Sequence, residues 1–241
     1  MNFGVIFRSY AKTPEVVSEV VQRAVNSARK ASELEWRGQP VFERVLILVP
    51  KDHDCGETFS KIESALKENQ IRATAFEAFG HHSTEALNAG LRWLDSLHVQ
   101  YATILSNKAL DYLTLSVMEN VTSALTEGNK VVGVQISELD DAHIVPVENT
   151  FCTWDIEALQ SVQGFDSKIG VEEIAPIVRL TRKYGRCTKI ISPGTEAKLN
   201  IRQSSDGVVR HKEVKDTKKE RQKTEALRLD TTIEWILENI S

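Results

Sequence analysis

The stretch Val45-Leu46-Ile47-Leu48-Val49-Pro50 places five aliphatic residues in a row and closes them with a proline. A short apolar run that ends at turn residues predicts a buried strand. The polar residues 51–56 follow it, and then apolar side chains recur at helical spacing, at Phe59, Ile62, Ala65 and Leu66. This stretch therefore predicts a strand, a polar loop and an amphipathic helix in succession.

The same unit recurs along the first 190 residues. The predicted strands lie at 3–7, 45–49, 71–76, 101–105 and 130–136, and the predicted helices begin at Pro14 after Thr13, near Phe59, after Ser83 or Thr84, near Asp111 and at Glu173. Residues 137–170 break the alternation. Strands that alternate with helices indicate an α/β fold with a mostly parallel sheet and helices on both of its faces.

Length and composition are those of a protein with a large core, since the chain has 241 residues, of which 41% are hydrophobic. The net charge of −4 supplies no cationic field for nucleic acid or anionic lipid, so neither is expected as a partner. The three cysteines are far apart and form no C-x-x-C pair, which favours a reducing, cytoplasmic location. We expect no secretion signal and no membrane span.

The sequence changes character after Gly194, which predicts a domain at 1–194 and a C-terminal extension at 195–241. Residues 198–202 and 208–211 flank Asp206-Gly207 and predict a hairpin. Residues 210–223 carry a net charge of +4, which is typical of a solvated helix face but also suits a diphosphate or an anionic partner. The apolar side of a closing helix over 227–240 leaves open a homo-oligomer formed through it.

Ligands of such sheets bind beyond the carboxyl ends of the strands, which directs attention to the loops 8–12, 50–58, 79–84 and 106–110. The chain has no G-x-x-x-x-G-K-[ST], no G-x-G-x-x-G after its first strand, no G-x-S-x-G and no H-E-x-x-H. The P-loop, dinucleotide, common hydrolase and zincin interpretations therefore lose their main support.

Three blocks of polar residues stand at the predicted strand ends in a fixed order. They are Gly80-His81-His82-Ser83-Thr84-Glu85-Ala86-Leu87-Asn88-Ala89-Gly90-Leu91, then Tyr101-Ala102-Thr103-Ile104-Leu105-Ser106-Asn107-Lys108, and finally 149–154 with Gly164-Phe165-Asp166, Glu172-Glu173 and the downstream Arg179. In this order they resemble the family-two glycosyltransferases, which carry Asp-x-Asp at the second block and Gly-Gly-Phe-Asp followed by Glu-Asp at the third. The resemblance covers most of residues 3–185.

The resemblance implies a GT-A-like, Rossmann-like fold, a nucleoside diphosphate sugar as the donor and inverting transfer to a hydroxyl acceptor. The second loop is one residue longer than the family pattern, so either of its two aspartates can be the matching one. The implied donor-binding residues are Arg8, Ser9, Tyr10, Asp52, Asp54, Asn88, Asn107 and Lys108.

Glu172 and Glu173 match the carboxylate pair of that family, and Glu173 falls at the position of its catalytic base. A carboxylate within reach of an acceptor hydroxyl can take its proton during attack. Acids in a first helical turn also stabilise the helix dipole without any catalytic role, so this alternative stays open. Trp154 is a candidate for stacking on the acceptor, although a lone tryptophan in such a domain is more often part of the core.

Ser106-Asn107-Lys108 departs from the family pattern, because neither aspartate of Asp-x-Asp is present. A hard cation on a diphosphate prefers carboxylate oxygens and would meet a like charge at Lys108, so we expect no metal cofactor. Lys108 could itself neutralise the leaving diphosphate, or it could be a solvated loop residue. His81 and His82 are adjacent and have no third ligand at a recognisable spacing, which disfavours a metal there as well.

Two functions from different classes follow from these residues. The first is a glycosyltransferase-like protein that binds a nucleoside diphosphate sugar and transfers its hexosyl group without a metal. The second is a non-catalytic GT-A-fold domain that acts as a binding or assembly module through its C-terminal extension. A nucleotidyltransferase is a weaker third interpretation, because the Gly-rich opening motif is absent after Phe7.

Overall fold

The computed structural model describes residues 1–80, 84–136, 145, 147–166, 171–193 and 205–240, and it describes His53 and residues 205–216 by their backbone alone. The strands are β1 Phe3–Arg8, β2 Glu35–Trp36, β3 Gln39–Pro40, β4 Phe42–Pro50, β5 Thr74–Ala78, β6 Tyr101–Leu105, β7 Val131–Val134, β8 Phe151–Asp155 and β9 Thr188–Ile191. The helices are α1 Val17–Glu33, α2 Thr58–Glu68, α3 Glu85–Ser96, α4 Leu115–Thr126, α5 Ile156–Gln160, α6 Ile174–Tyr184, α7 Ser205–Arg228 and α8 Ile233–Glu238.

Seven of the strands form one sheet in the order β5-β4-β1-β6-β8-β7-β9. All neighbours in this sheet are parallel except β8, which runs antiparallel to both β6 and β7. The short strands β2 and β3 form a separate antiparallel pair. The predicted α/β fold with a mostly parallel sheet is therefore confirmed.

Alternation along the strands supplies the two faces of the core. Val45, Ile47 and Val49 of β4 pack with residues of α1, α2 and α4, whereas Leu46 and Leu48 pack with residues of α3, α5 and α6. Successive side chains of a strand point to opposite faces, so a continuous aliphatic run is buried only when helices cover both faces. This requirement explains why the central strands are the most apolar stretches of the chain.

The turn after β6 and the segment 137–170 differ from the predicted elements. The helix predicted from near Asp111 begins later, because residues 107–112 form a 3-10 turn. Helix α4 begins after Thr114, whose hydroxyl accepts a hydrogen bond from the Val117 N–H at 3.3 Å. Threonine favours such a capping position because it satisfies an N–H that the helix leaves unpaired. The segment 137–170, which broke the predicted alternation, contains strand β8.

The predicted hairpin is wrong in its second half. Residues 208–211 belong to α7, which is 24 residues long, and the first half at 198–202 lies outside the described residues. The residues after Gly207 are rich in Lys, Arg, Glu and Gln, which favour helix, and adding a residue to an existing helix is easier than starting one. Propagation of the helix therefore outweighs the local tendency of Asp206-Gly207 to form a turn.

The last two helices are part of the core. Ala226 in the last turn of α7, Leu229 just after it, and Ile233 and Ile236 in α8 are buried against the sheet face that α6 covers. The apolar side of the closing helix, through which the sequence allows a homo-oligomer to form, is thus largely buried within the chain itself. The boundary predicted between 194 and 195 lies within 194–204, outside the described residues, and stays a prediction. Across the described residues, no helix combines the length and hydrophobicity needed to cross a membrane.

One contact fixes the loop after α5 against α3. The Asn88 side chain donates to the Phe165 carbonyl at 2.8 Å and accepts from the Phe165 N–H at 2.9 Å. Gly164 precedes this pair with φ +70°, and a Cβ at this position would lie 2.6 Å from the Asn88 Oδ1 atom. Only glycine combines this backbone conformation with such a close approach.

Replacing Gly164 by Ala should therefore destabilise the protein by at least about 2 kcal/mol, because backbone strain and a steric clash add together. Gly128→Ala is the matched control, since Gly128 has φ +98° and open space around its Cβ position. The control should lose only about 1 kcal/mol. Urea unfolding measures both, and equal losses in the two variants would contradict the close approach to Asn88.

Candidate functional site

The carboxyl ends of the parallel strands and the start of β8 share one edge of the sheet. Leu105, the last residue of β6, pairs with Phe151, the first residue of β8. The Ser106 N–H then donates to the Thr150 carbonyl at 2.8 Å. Because β8 is antiparallel, the residues that precede it lie beside those that follow β1 and β6.

An ion pair joins the end of β1 to the start of α6. The Arg8 guanidinium donates to the Glu172 carboxylate at 2.9 Å, and the side chains are 28% and 16% exposed. Glu172 directly precedes Glu173, the residue before α6. Half-burial makes this pair stronger than an open surface pair, because solvent screens it less. Tyr10 lies close to Arg8, whose charge lowers the pKa of the phenol, while burial raises it by more.

A second set of contacts joins β1 to the turn after β6. The Ser27 hydroxyl donates to the Asn107 Oδ1 atom at 2.8 Å, and the Asn107 amide nitrogen donates to the Ser9 hydroxyl at 3.2 Å. Ser9 is buried, whereas Lys108 is exposed. Ser9 and Asn107 thus form a framework that holds Lys108 at this edge of the sheet.

The turn after β6 does not fit a hard divalent cation. The Ser106 hydroxyl accepts from the Lys108 backbone N–H at 3.3 Å, and the side-chain Oδ1 atom of Asn107 accepts from the Ser27 hydroxyl. The turn offers no carboxylate at the Asp-x-Asp positions, and its lysine would repel a cation. In the described ranges, no group of three or more His, Cys, Asp or Glu side chains could hold a metal ion.

Glu173 is a buried acid, with 7% of its surface exposed. Its Oε1 atom accepts a hydrogen bond from the Asn149 N–H at 2.8 Å. Burial and then the charge of Glu172 raise the pKa of Glu173 to about 7, with a smaller rise from Glu148, while Lys218 and the Asn149 N–H oppose the rise. A carboxyl that titrates near neutral pH is suited to exchanging protons with a hydroxyl.

The two aspartates of the second loop have different environments. Asp54 accepts hydrogen bonds from the backbone N–H groups of Ala11, Gly56 and Thr58, all within 3.1 Å. It therefore caps the start of α2 and ties the first two loops together, which leaves it little capacity for a ligand. Asp52 is exposed, and from the part of the chain that the structure describes it accepts one such bond, from the Gly80 N–H at 2.8 Å.

Asn88 and Trp154, which are also predicted site residues, have structural contacts instead. Both polar atoms of the Asn88 amide are bound to the Phe165 backbone, so this side chain orients the Gly-Phe-Asp loop rather than a donor. Trp154 is fully buried, with its ring edge-on to Phe165 at 5.0 Å between centroids, and its N–H donates to the Asn149 side chain at 3.0 Å. It cannot stack on an acceptor in this structure, and the alternative of a core residue applies.

The sequence did not identify several residues that shape the site. Glu148 lies before β8, and Lys218 lies 70 positions further along in α7, yet the ammonium donates to the carboxylate at 2.6 Å. Lys218 was part of the basic run interpreted as a solvated helix face, and no local pattern indicates its partner. Cys152 of β8 is fully buried, and burial followed by the charge of Glu173 raises the pKa of its thiol. His81 and His82 lie outside the described residues.

Asp166 connects the Gly-Phe-Asp loop to two helices. Arg179 of α6 and Arg228 at the end of α7 both pair with its carboxylate. Burial opposes ionisation of Asp166, but these two guanidinium groups outweigh it and lower the pKa of the carboxyl. The loop held by Asn88 on one side is therefore held by α6 and α7 on the other.

No family model and no curated protein sequence matches this chain. Solved structures do match. The mannosyltransferase PcManGT from Pyrobaculum calidifontis, in complex with GDP-Man and Mn²⁺, superposes with a TM-score of 0.62 at 14% identity over 94% of this chain. The chain spans 64% of the length of that enzyme, which is less than two thirds.

Two nucleotidyltransferase structures also match. The 4-diphosphocytidyl-2C-methyl-D-erythritol synthase from Anaerococcus prevotii gives a TM-score of 0.52 at 12% identity. The match covers 88% of this chain and 96% of that one. A cytidylyltransferase from Leptospira borgpetersenii gives a TM-score of 0.52 at 9% identity. The match covers 82% of this chain and 77% of that one. At these identities the similarity concerns the fold alone. This chain has the GT-A-like α/β fold that glycosyltransferases and nucleotidyltransferases share.

Glu173→Gln should change the pH dependence of stability. The folded protein holds the Glu173 proton up to about pH 7, whereas an ordinary glutamate releases it near 4.5, so folding loses stability as pH rises through this window. The variant has no such loss. Its stability relative to the parent should therefore rise by up to about 3 kcal/mol between pH 4.5 and pH 7.

Urea unfolding at a series of pH values measures this difference. The exposed Glu43 supplies the control, because Glu43→Gln should follow the parent at every pH. If the Glu173→Gln curve also runs parallel to the parent, then Glu173 does not titrate near neutral pH in the folded protein.

Proposed function

We propose that this protein binds a nucleoside diphosphate sugar at the carboxyl edge of its sheet and transfers the sugar to a hydroxyl acceptor with inversion and without a divalent cation. The observation that carries the proposal is the series of contacts from Asn107, which precedes Lys108, through Ser9 and Arg8 to Glu172. These contacts support a diphosphate subsite at Lys108 beside an acceptor subsite at Glu172 and Glu173.

The donor would lie with its diphosphate near Lys108 and its nucleoside towards Tyr10 and Asp52. Lys108 is exposed at the strand end, where its charge can stabilise the negative charge that develops on a leaving diphosphate. Among the described residues, one backbone N–H occupies one Asp52 oxygen, so Asp52 keeps capacity there to accept a hydrogen bond from a base or a ribose.

Transfer would form a bond between the acceptor oxygen and the anomeric carbon while the bond from that carbon to the diphosphate breaks. The electron pair of the broken bond leaves with the diphosphate, whose charge Lys108 offsets. The acceptor proton passes to Glu173, the group whose pKa lies near neutral pH. Glu172 is more exposed, but its charge is paired with Arg8, so it orients the site.

Lys108→Ala should weaken binding of nucleoside diphosphate sugars by about 10- to 100-fold, because a charge-assisted hydrogen bond to phosphate is lost. Lys67→Ala is the matched control, since Lys67 lies in the last turn of α2, at the opposite edge of the sheet. Calorimetry with a panel of nucleoside diphosphates and their sugars, with and without Mn²⁺, measures the effect. The absence of binding for every member of the panel would remove the donor site.

Glu173→Gln should lower release of the nucleoside diphosphate from the donor by about 100-fold or more while leaving donor binding unchanged, because only proton removal is lost. A coupled assay for the released nucleoside diphosphate measures turnover, and calorimetry measures binding. Equal turnover in the parent and in Glu173→Gln would show that the base is a different group.

Two other functions give distinct results in the same assays. A non-catalytic domain binds the donor but releases no nucleoside diphosphate from it under any condition. A nucleotidyltransferase releases pyrophosphate from a nucleoside triphosphate, and the two nucleotidyltransferase structures of the same fold make this the second candidate.

A further inference from the structure

Helix α7 places a lysine beside the acid pair of the candidate site. The Lys218 ammonium donates to the Glu148 carboxylate at 2.6 Å, and the side chains are 28% and 18% exposed. The next residue, Asn149, donates its backbone N–H to Glu173. The bond to Glu148 therefore holds the charge of Lys218 next to the buried carboxyl of Glu173.

The groups that face Glu173 come from four parts of the chain. Glu172 stands at the start of α6, with its charge paired to Arg8 of β1, and Glu148 precedes β8. Cys152 faces it from β8, and Lys218 faces it from α7. Among the side chains that the structure describes, Lys218 is the cation that favours the ionised form of Glu173, whereas burial and two carboxylates favour the neutral form.

Docking of α7 does not need this ammonium. Ala226 and Leu229 pack in the core, the Gln222 side chain accepts the Val145 N–H at 3.3 Å, and Arg228 pairs with Asp166. Burying an ammonium is unfavourable by itself, so an apolar residue would serve equally well as an anchor. Burial lowers the pKa of Lys218, but Glu173 and Glu148 outweigh it and raise the value overall. The charge of Lys218 is therefore explained by the neighbouring acids and not by the packing of α7.

We propose that Lys218 is a positioning residue that, held by Glu148, keeps the carboxylate of Glu173 ionised and able to accept a proton. The catalytic meaning of this assignment rests on the proposed transferase function. Its electrostatic part does not, because the ionisation of Glu173 can be followed without any substrate.

The test is an NMR titration of the full chain with ¹³C-labelled glutamate, in which the Glu173 carboxyl signal is assigned by its absence in Glu173→Gln. The midpoint should lie near pH 7 in the parent. It should rise by about one pH unit or more in Lys218→Met, which keeps the length of the side chain but removes the charge. Lys218→Arg, which keeps the charge, should restore the midpoint of the parent.

Lys223→Met is the matched control, because Lys223 is an exposed lysine of the same helix that pairs with Glu220. It should leave the Glu173 midpoint unchanged. A Lys218→Met midpoint equal to that of the parent would overturn the proposal. So would an equal rise in Lys223→Met, because the effect would then be the general loss of one positive charge.

The pH profile of donor turnover separates this inference from the proposed function. With an active enzyme, the acid limb of the profile should move to higher pH in Lys218→Met together with the NMR midpoint. An acid limb that stays in place while the midpoint moves would overturn the positioning role. If the midpoint moves and no donor is bound or turned over by any variant, the action of Lys218 on Glu173 is supported and the transferase proposal fails.

Discussion

The reversed direction of β8 is the constraint on which the candidate site depends. Every other strand of the large sheet ends at the carboxyl edge, but β8 starts there, because its first residue pairs with the last residue of β6. Glu148 and Asn149 are therefore delivered to the same edge as Arg8 and Ser106. If β8 were parallel, these residues would lie at the far edge, and Glu173 would lose its hydrogen bond from Asn149.

Much of the fold could be predicted because its signals are local. Aliphatic runs such as 45–49 need helices on both faces, and that requirement alone specifies the α/β class and most of the strands. The direction of β8 and the length of α7 could not be predicted in this way. The direction of β8 depends on pairing with strands distant in sequence, and in α7 the propagation of a long charged helix overrides an Asp-Gly turn signal.

The candidate site was predictable to a lesser extent. Rules for strand ends bring Arg8 and Asn107 to one edge, and the family resemblance adds Glu172. The structure connects these residues by the Asn107–Ser9 hydrogen bond and the Arg8–Glu172 ion pair. Neither the rules nor the resemblance distinguishes a side chain that faces a ligand from one whose polar atoms are already bound. The resemblance therefore assigns Asn88 to the donor, although both polar atoms of its amide bind the Phe165 backbone. The Lys218 contact could not be predicted either, because it joins residues 70 positions apart without a repeating pattern.

Cys152 gives the acid cluster a chemical reporter of its own. Its thiol is completely buried beside Glu173, and burial together with that acid keeps it in the unreactive, protonated form. Cys55 is half-exposed in the second loop, so an alkylating reagent meets it first. Modification of Cys152 then requires the helices that cover β8 to separate from it transiently. The rate of that modification therefore measures how often a small molecule from solvent can reach the interior around Glu173.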